Sequence, residues 1–194
     1  PEGDAIAITN GPHRFNRPLY GTPSAFFVYA GDKPEMLLSL PGKGGTLRLG
    51  IATPSASKWL SDADQVVTRY RAGAMRYEIS DRLLGAGRWT VDVLPRADGE
   101  GAVVRVVASG EAPAVDFVWA FGGASGFSQW NLDTCGYCPE WACHLKPEDC
   151  VKNEFQITAT GFELRAPCHK GRPLAGTVPP ESQLKIADAD RLRS

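Results

Sequence analysis

The segment at residues 10–21 concentrates side chains that could bind a sugar. Its polar members with hydrogen-bond donors are His13, Arg14, Asn16 and Arg17. Guanidinium, imidazole and amide groups donate to hydroxyl oxygens, and the neighbouring rings of Phe15 and Tyr20 offer flat apolar faces for a pyranose ring. We therefore treat the four polar residues as candidate carbohydrate-binding residues.

A structural role is the alternative for the same segment. Arg14 and Arg17 would then pair with Asp62 or Asp64, and Phe15 would belong to the core. This second interpretation is favoured for those reasons, and the opening Asn-Gly pair is itself more typical of a turn than of a binding site. The two interpretations differ in whether the arginines bind a sugar or form ion pairs within the protein.

Loop tryptophans supply a second set of candidates. The sequence predicts loops around three of the five tryptophans: Trp59, Trp130 and Trp141. Exposed indoles would stack on sugar rings, whereas a lone loop tryptophan more often closes the end of a sheet sandwich. Trp59, the nearby Asp62 and Asp64, and Trp130 join the candidate carbohydrate-binding residues. Trp89 and Trp119 lie in strand-like runs at positions predicted to face the core.

Four of the five cysteines are close together in sequence: Cys135, Cys138, Cys143 and Cys150. Disulfide bonds are the favoured interpretation, since closing a long loop stabilises an exported domain. Zinc is an alternative because four thiolates can surround a tetrahedral ion, although the second half of the spacing differs from that of common zinc ribbons. Free thiols are the third possibility. No cofactor is predicted.

Catalytic patterns are not evident in the sequence. Sequence spacing alone does not show whether any two carboxylates meet at the separations of about 5 to 9 Å that glycosidase mechanisms use, and exposed surface acids are the favoured interpretation. Ser125 lacks the G-x-S-x-G context of a hydrolase nucleophile, and residues 122–126 lack the G-x-G-x-x-G pattern of a phosphate-binding loop. We predict no catalytic residue, and we do not expect this chain to be an enzyme by itself.

Alternation of apolar and polar residues predicts an all-β fold. Residues 47–51, 75–79 and 89–93 each alternate with a period of two, and 21 glycines and 15 prolines punctuate the chain at the spacing of short strands. Further predicted strands are residues 25–29, 35–40, 65–71, 102–108, 115–121, 154–159, 162–165 and 183–186. This number of strands exceeds what one flat sheet tolerates, so we predict an antiparallel β-sandwich, supersandwich-like, with little or no helix.

The domain organisation is predicted to be one sandwich domain over residues 1–194, with an irregular insert at residues 122–153 that carries cysteines and tryptophans. Residues 102–107 and 117–121 are apolar on both strand faces, so we place them centrally in the sandwich. The chain starts at Pro1 without a methionine, and we expect it to be the excised N-terminal part of a larger protein.

Charge and hydropathy exclude two classes of partner. The net charge is −1, and no basic stripe interleaved with aromatic residues is present, so a nucleic-acid partner is not expected. No run approaches the roughly 18 consecutive apolar residues of a membrane span, so none is predicted.

Three segments resemble a known family. They are residues 10–21 (NGPHRFNRPLYG), 58–64 (KWLSDAD) and 119–126 (WAFGGASG). Together they are similar to the N-terminal domain of large Bacteroidetes proteins of the family DUF4450, over roughly residues 5 to 190. The cysteine-rich insert departs from what the resemblance leads us to expect.

This resemblance implies a glycoside hydrolase of the six-hairpin class, in which an N-terminal β-sandwich precedes an (α/α)6 catalytic barrel. By that analogy the chain is a non-catalytic sandwich that supports the catalytic domain of the same polypeptide, contacts glycan, and works in the periplasm or outside the cell. The alternatives are an independent carbohydrate-binding module and a purely structural or assembly domain. The acid and base of such enzymes belong to the barrel, so the resemblance transfers no catalytic residue.

Overall fold

The computed structural model describes residues 4–24, 26–40, 43–111, 113–122, 150–165, 173–188 and 190. In this part of the chain the secondary structure is strand, apart from single 3-10 turns at Leu60–Asp62 and Arg82–Leu84. The predicted all-β fold is confirmed. None of these helical turns has the length and apolar character that crossing a membrane requires.

The strands of the described residues are β1 (Ile6–Thr9), β2 (Arg17–Leu19), β3 (Phe27–Ala30), β4 (Glu35–Leu40), β5 (Lys43–Ala52), β6 (Ser57–Trp59), β7 (Gln65–Arg71), β8 (Ala74–Ser80), β9 (Arg88–Pro95), β10 (Ala102–Ser109), β11 (Asp116–Gly122), β12 (Glu154–Thr158), β13 (Gly161–Arg165) and β14 (Leu174–Thr177).

The chain divides into two compact units, Pro1–Ser39 with Leu47–Ala120 and Leu40–Thr46 with Phe121–Ser194. The first unit holds a five-stranded sheet in the order β1-β7-β8-β9-β10 and most of a six-stranded sheet in the order β11-β5-β4-β3-β2, with β6 paired to β5. The pairs β1/β7, β7/β8, β8/β9, β9/β10, β2/β3, β3/β4 and β5/β6 run antiparallel. The single domain over residues 1–194 stays a prediction.

The core of the first unit lies between its two sheets. Alternate residues of β8, namely Met75, Tyr77 and Ile79, are buried. The hydroxyl of Tyr77 donates to the carbonyl oxygen of Gly31 at 3.0 Å, and the rings of Trp89 and Phe117 lie edge to face with centroids 5.6 Å apart. Since each of these contacts joins one sheet to the other, the predicted antiparallel β-sandwich is confirmed.

Three strand predictions are wrong, two in the position of the strand and one in its existence. Residues 102–107 and 117–121 were expected in the centre, but β10 and β11 are end strands of their sheets. Val103 is 52% exposed and Val107 is 37% exposed. Branched apolar residues favour strands whether or not both faces are covered, so an apolar run does not by itself identify a central strand. Residues 183–186 form no strand.

The second unit contains the three-stranded sheet β12-β13-β14. The ring of Phe162 lies between those of Phe121 and Phe155, with centroid separations of 5.6 and 6.4 Å. Leu164 is fully buried. A Cβ on Gly161 would lie 1.8 Å from the carbonyl oxygen of Gly176, so the close approach of β13 to β14 requires glycine there.

Candidate functional site

Two carboxylates are buried in the turn between β3 and β4. Asp32 and Glu35 are each only 1% exposed. Arg17 donates to Asp32, while Nη1 of Arg14 and Nη2 of Arg48 reach Glu35 at 2.6 and 3.2 Å. Removing an ion from water is costly unless opposite charge and hydrogen bonds replace the water. The arginines therefore make it possible for this turn to bury two acids.

The loop that precedes β2 is bound to the same turn through its backbone. The amide of His13 donates to Oδ2 of Asp32 at 3.2 Å, and the amide of Asp32 donates to the carbonyl oxygen of His13 at 2.6 Å. A Cβ on Gly31 would lie 2.1 Å from the carbonyl oxygen of Arg14. Glycine at this position thus allows the loop to lie directly against the turn.

Strand alternation separates the two acids onto different sides of the six-stranded sheet. Arg17 pairs in register with Ala30, faces the core, and lies with its guanidinium 5.9 Å from the Tyr70 ring of the opposite sheet. Glu35 and Leu37 are two residues apart in β4 and so lie on the same face of the sheet. Leu37 pairs with Tyr29, so Tyr29 lies on this face as well. We call the side that carries Phe27, Tyr29, Glu35 and Arg48 the outer face. On it, two guanidinium groups share one carboxylate.

Trp59 also belongs to the outer face. It pairs with Gly50, and a Cβ on Gly50 would lie 3.2 Å from Cε3 of the indole. The guanidinium carbon of Arg48 is 4.9 Å from the indole centroid, a cation–π contact. One face of the Trp59 ring is thus occupied by a cation.

A row of aromatic rings follows the edge of the outer face. The ring centroids of Tyr20 and Phe27 are 5.5 Å apart, and those of Phe27 and Tyr29 are 4.5 Å apart at nearly a right angle. Tyr20 is 58% exposed and the other two are half-buried. The row therefore offers an accessible phenol ring that the neighbouring rings support.

The accessible edge of the outer face runs along β2. Starting from Tyr20, it passes Pro18, which pairs with Tyr29, and reaches the exposed Asn16 and then Arg14, which is 29% exposed. Seven consecutive residues span at most about 20 Å. We call Arg14, Asn16, Pro18 and Tyr20 the β2 rim. Leu37, further in on the same face, is buried, so access to the face is at the rim.

Asp64 lies in a different cluster, at the start of β7. Its carboxylate accepts from the amide of Arg82 at 2.9 Å and from Nζ of Lys58 at 3.0 Å. The backbone hydrogen bond from Arg82 and then the bond from Lys58 lower the pKa of Asp64. The buried Asp81 accepts from Lys58 at 2.7 Å and is the main cause of a raised pKa for Lys58. This cluster joins β6 to the loops of the five-stranded sheet.

The predicted site residues therefore fall into separate groups. His13, Arg14 and Arg17 meet at the Asp32–Glu35 turn, and Trp59 joins them through Arg48. The side chain of Asn16 accepts from Arg17 at 3.1 Å. Asp64 belongs to the Lys58 cluster, and Asp62 is exposed in the 3-10 turn. Trp130 lies outside the described residues.

The expected pairing of Arg14 and Arg17 with Asp62 or Asp64 is wrong, because Glu35 and Asp32 are their partners. Sequence reasoning also missed Asp32, Glu35 and Arg48. One signal was present: residues 31–35 (GDKPE) combine turn formers with acids directly after a predicted strand. Such a turn brings its acids close to whatever loop lies beside it.

The cysteine predictions lie mostly outside the described residues. Cys135, Cys138 and Cys143 are not described, and Cys150 is half-buried. Within the described ranges, no group of three or more His, Cys, Asp or Glu side chains is arranged to hold a metal ion. Disulfide bonding and zinc binding by the four cysteines both remain predictions.

The fold and the outer face define an all-β sandwich protein whose polar and aromatic side chains meet along one sheet edge. A family model described as a domain of unknown function (DUF4450) matches residues 40–194, and the chain belongs to this family. No curated protein and no solved structure matches the chain.

Proposed function

We propose that this domain is the non-catalytic N-terminal β-sandwich of a bacterial glycoside hydrolase, of Bacteroidetes origin and located in the periplasm or outside the cell. It supports the catalytic domain of the same polypeptide and contacts glycan through the β2 rim. The observation that carries the proposal is the row of Tyr20, Phe27 and Tyr29, with Tyr20 exposed and Arg14 at the other end of the rim.

Physical chemistry supports this use of the rim. Sugar rings present apolar C–H faces and hydroxyl edges, so they suit a site that combines an accessible aromatic ring with fixed hydrogen-bond donors. The Tyr20 ring is supported by Phe27, and the Arg14 guanidinium is held by the buried Glu35. These contacts hold both groups in place before a ligand arrives, which reduces the entropy lost on binding.

The test is calorimetric titration of plant and host oligosaccharides into the chain and into its Tyr20→Ala variant. Truncating a central aromatic contact is expected to weaken binding about tenfold or more. Leu94→Ala is the matched control, since Leu94 is an exposed strand residue of the five-stranded sheet. Binding that Tyr20→Ala leaves unchanged would reject the rim, and no binding to any glycan would reject glycan contact and leave only the supporting role.

An independent carbohydrate-binding module is the second candidate, and the exposed ring of Tyr20 supports it equally. The supporting domain and the independent module predict different glycan affinities in the full-length protein. A supporting domain that completes a catalytic site should bind glycan more tightly when the catalytic domain is present, whereas a module binds equally well alone. A third candidate, an assembly domain, is supported by the exposed Val103 and Val107 and predicts no glycan affinity.

A further inference from the structure

We propose that the β2 rim selects acidic saccharides, in which Arg14 binds a sugar carboxylate and Tyr20 supports a sugar ring nearby. The inference rests on the proposed function and specifies its substrate class. It follows from the imbalance of charge at the outer face and from the guanidinium donors left there.

The charge imbalance comes from how the arginines are distributed. The inward pair of Arg17 and Asp32 is balanced. On the outer face, Arg14 and Arg48 both use the single carboxylate of Glu35. Among the residues that the structure describes, one positive charge is therefore in excess beside the rim. In a partly dehydrated site this excess attracts an anion and repels a cation.

The hydrogen-bond donors of Arg14 and Arg48 also indicate an anionic ligand. A guanidinium carries five N–H donors, and Arg14 directs Nη1 to Glu35 while its side chain stays 29% exposed. The Nε of Arg48 is buried and has no hydrogen-bond partner among the residues that the structure describes. Within the described part of the chain, the cluster thus has more guanidinium donors than acceptor oxygens. A carboxylate supplies two such oxygens in the planar geometry that a guanidinium matches.

The rim also bears on the choice of ligand. Tyr20 and Arg14 are separated by at most about 20 Å along the chain, and residues 14–15 form a bend before β2. An oligosaccharide can contact both groups at any separation within this bound. The expected ligand is an oligosaccharide that carries a carboxylate on at least one sugar residue.

The experiment compares acidic oligosaccharides with neutral copies of themselves. Oligogalacturonate, oligoalginate and glucuronoxylan fragments are titrated by calorimetry alongside the same oligosaccharides after chemical reduction of the carboxyl groups to alcohols. At least one acidic form should bind about tenfold or more tightly than its reduced copy, and the preference should shrink as salt is raised.

Variants of Arg14 test whether the rim carries this preference. Arg14→Gln should abolish it, and Arg14→Lys should retain only part because lysine keeps the charge without the bidentate geometry. Arg105→Gln, which removes an exposed arginine of β10 in the five-stranded sheet, should leave it intact. Near-ultraviolet circular dichroism shows whether each variant is folded, and Arg14→Lys serves as the test if Arg14→Gln is not.

The outcomes separate the two proposals. Equal affinity for acidic and reduced forms overturns the acidic preference and leaves glycan binding standing. A preference that survives in both Arg14 variants overturns the role of the rim. Absence of binding to every oligosaccharide, acidic or neutral, overturns this inference together with the proposed glycan contact.

Discussion

The guanidinium carbon of Arg48 lies 4.9 Å from the ring centroid of Trp59, and the same guanidinium donates to Glu35 at 3.2 Å. One arginine thus covers an indole and neutralises a buried acid. Stacking of a sugar on Trp59 stays a prediction, and it concerns the ring face that Arg48 does not occupy. The contact links Trp59 to Arg14 only through Arg48 and Glu35.

Glu35 should be among the most sensitive positions for stability. Glu35→Gln leaves two guanidinium groups beside a neutral amide, and we expect a loss of about 2 to 4 kcal/mol in the free energy of unfolding. Removing one partner of a fully buried ion pair costs more than this. The expected loss is smaller here because both arginines are partly exposed to solvent. Urea denaturation measures the loss. Glu78→Gln is the control, because Glu78 pairs with Arg69 at the surface and should cost under about 1 kcal/mol. Equal losses in both variants would contradict the structure.

Tyr77 should stabilise the sandwich through its hydroxyl. The buried phenol has a raised pKa, mainly because burial disfavours the phenolate, so it remains a neutral donor to the carbonyl of Gly31. Tyr77→Phe leaves that carbonyl without its donor and should cost about 1 to 2 kcal/mol. Tyr20→Phe, at an exposed position, should change stability little. Thermal unfolding of the two variants provides the comparison, and an unchanged Tyr77→Phe protein would be evidence against the inter-sheet hydrogen bond.

Gly31 should not accept a side chain. A Cβ there would lie 2.1 Å from the carbonyl oxygen of Arg14, so Gly31→Ala must move the loop away from the turn. We expect a loss of about 1 to 3 kcal/mol and weaker glycan binding in the same variant. Gly99→Ala is the control, since the nearest atom to its Cβ would be 4.0 Å away. Denaturation and calorimetry measure the two effects, and wild-type behaviour of Gly31→Ala would refute the close packing of the loop.

Asp64 should make stability depend on acid pH. Its pKa is lowered in the folded state, so its stabilising contribution is complete above the usual aspartate pKa of about 3.9 and is lost as pH falls through the lower folded value. Asp64→Asn should therefore unfold at a lower temperature than the wild type at neutral pH, and the difference should shrink below about pH 4. Melting curves between pH 7 and pH 2 measure this. A difference that is constant with pH would argue against the Lys58 cluster.

The alternation of residue types predicted much of the fold. Residues 75–79 and 89–93 lie within β8 and β9 with the buried phase as expected, because one face of each strand must be apolar to form the core. The short strands β1, β2, β6 and β14 were missed, since three or four residues are too few to show a period. The end position of β10 was missed because branched residues favour strands at an edge as well as in the centre.

The residue types at the candidate site were predictable from the sequence, but their ion-pair partners were not. Arg14 and Arg17 were identified from their residue types, yet their partners Asp32 and Glu35 are 15 to 21 residues away and reach them through the turn that follows β3. Pairing of that kind depends on which loops the sheet order brings together, which sequence spacing does not encode. Phe27 and Tyr29 were not recognised as site residues, because strand phase alone does not say which sheet face stays accessible.

The most direct test of the central claim is nuclear magnetic resonance mapping of oligosaccharide binding to the chain. Amide and aromatic shifts are followed during titration with whichever oligosaccharide binds in calorimetry. We predict that the largest changes fall on Tyr20, Phe27, Tyr29 and the Arg14–Asn16 loop, with no change at Leu94 or Val103 on the opposite sheet. Shifts confined to other surfaces, or none at all with any glycan, would contradict glycan contact through the β2 rim.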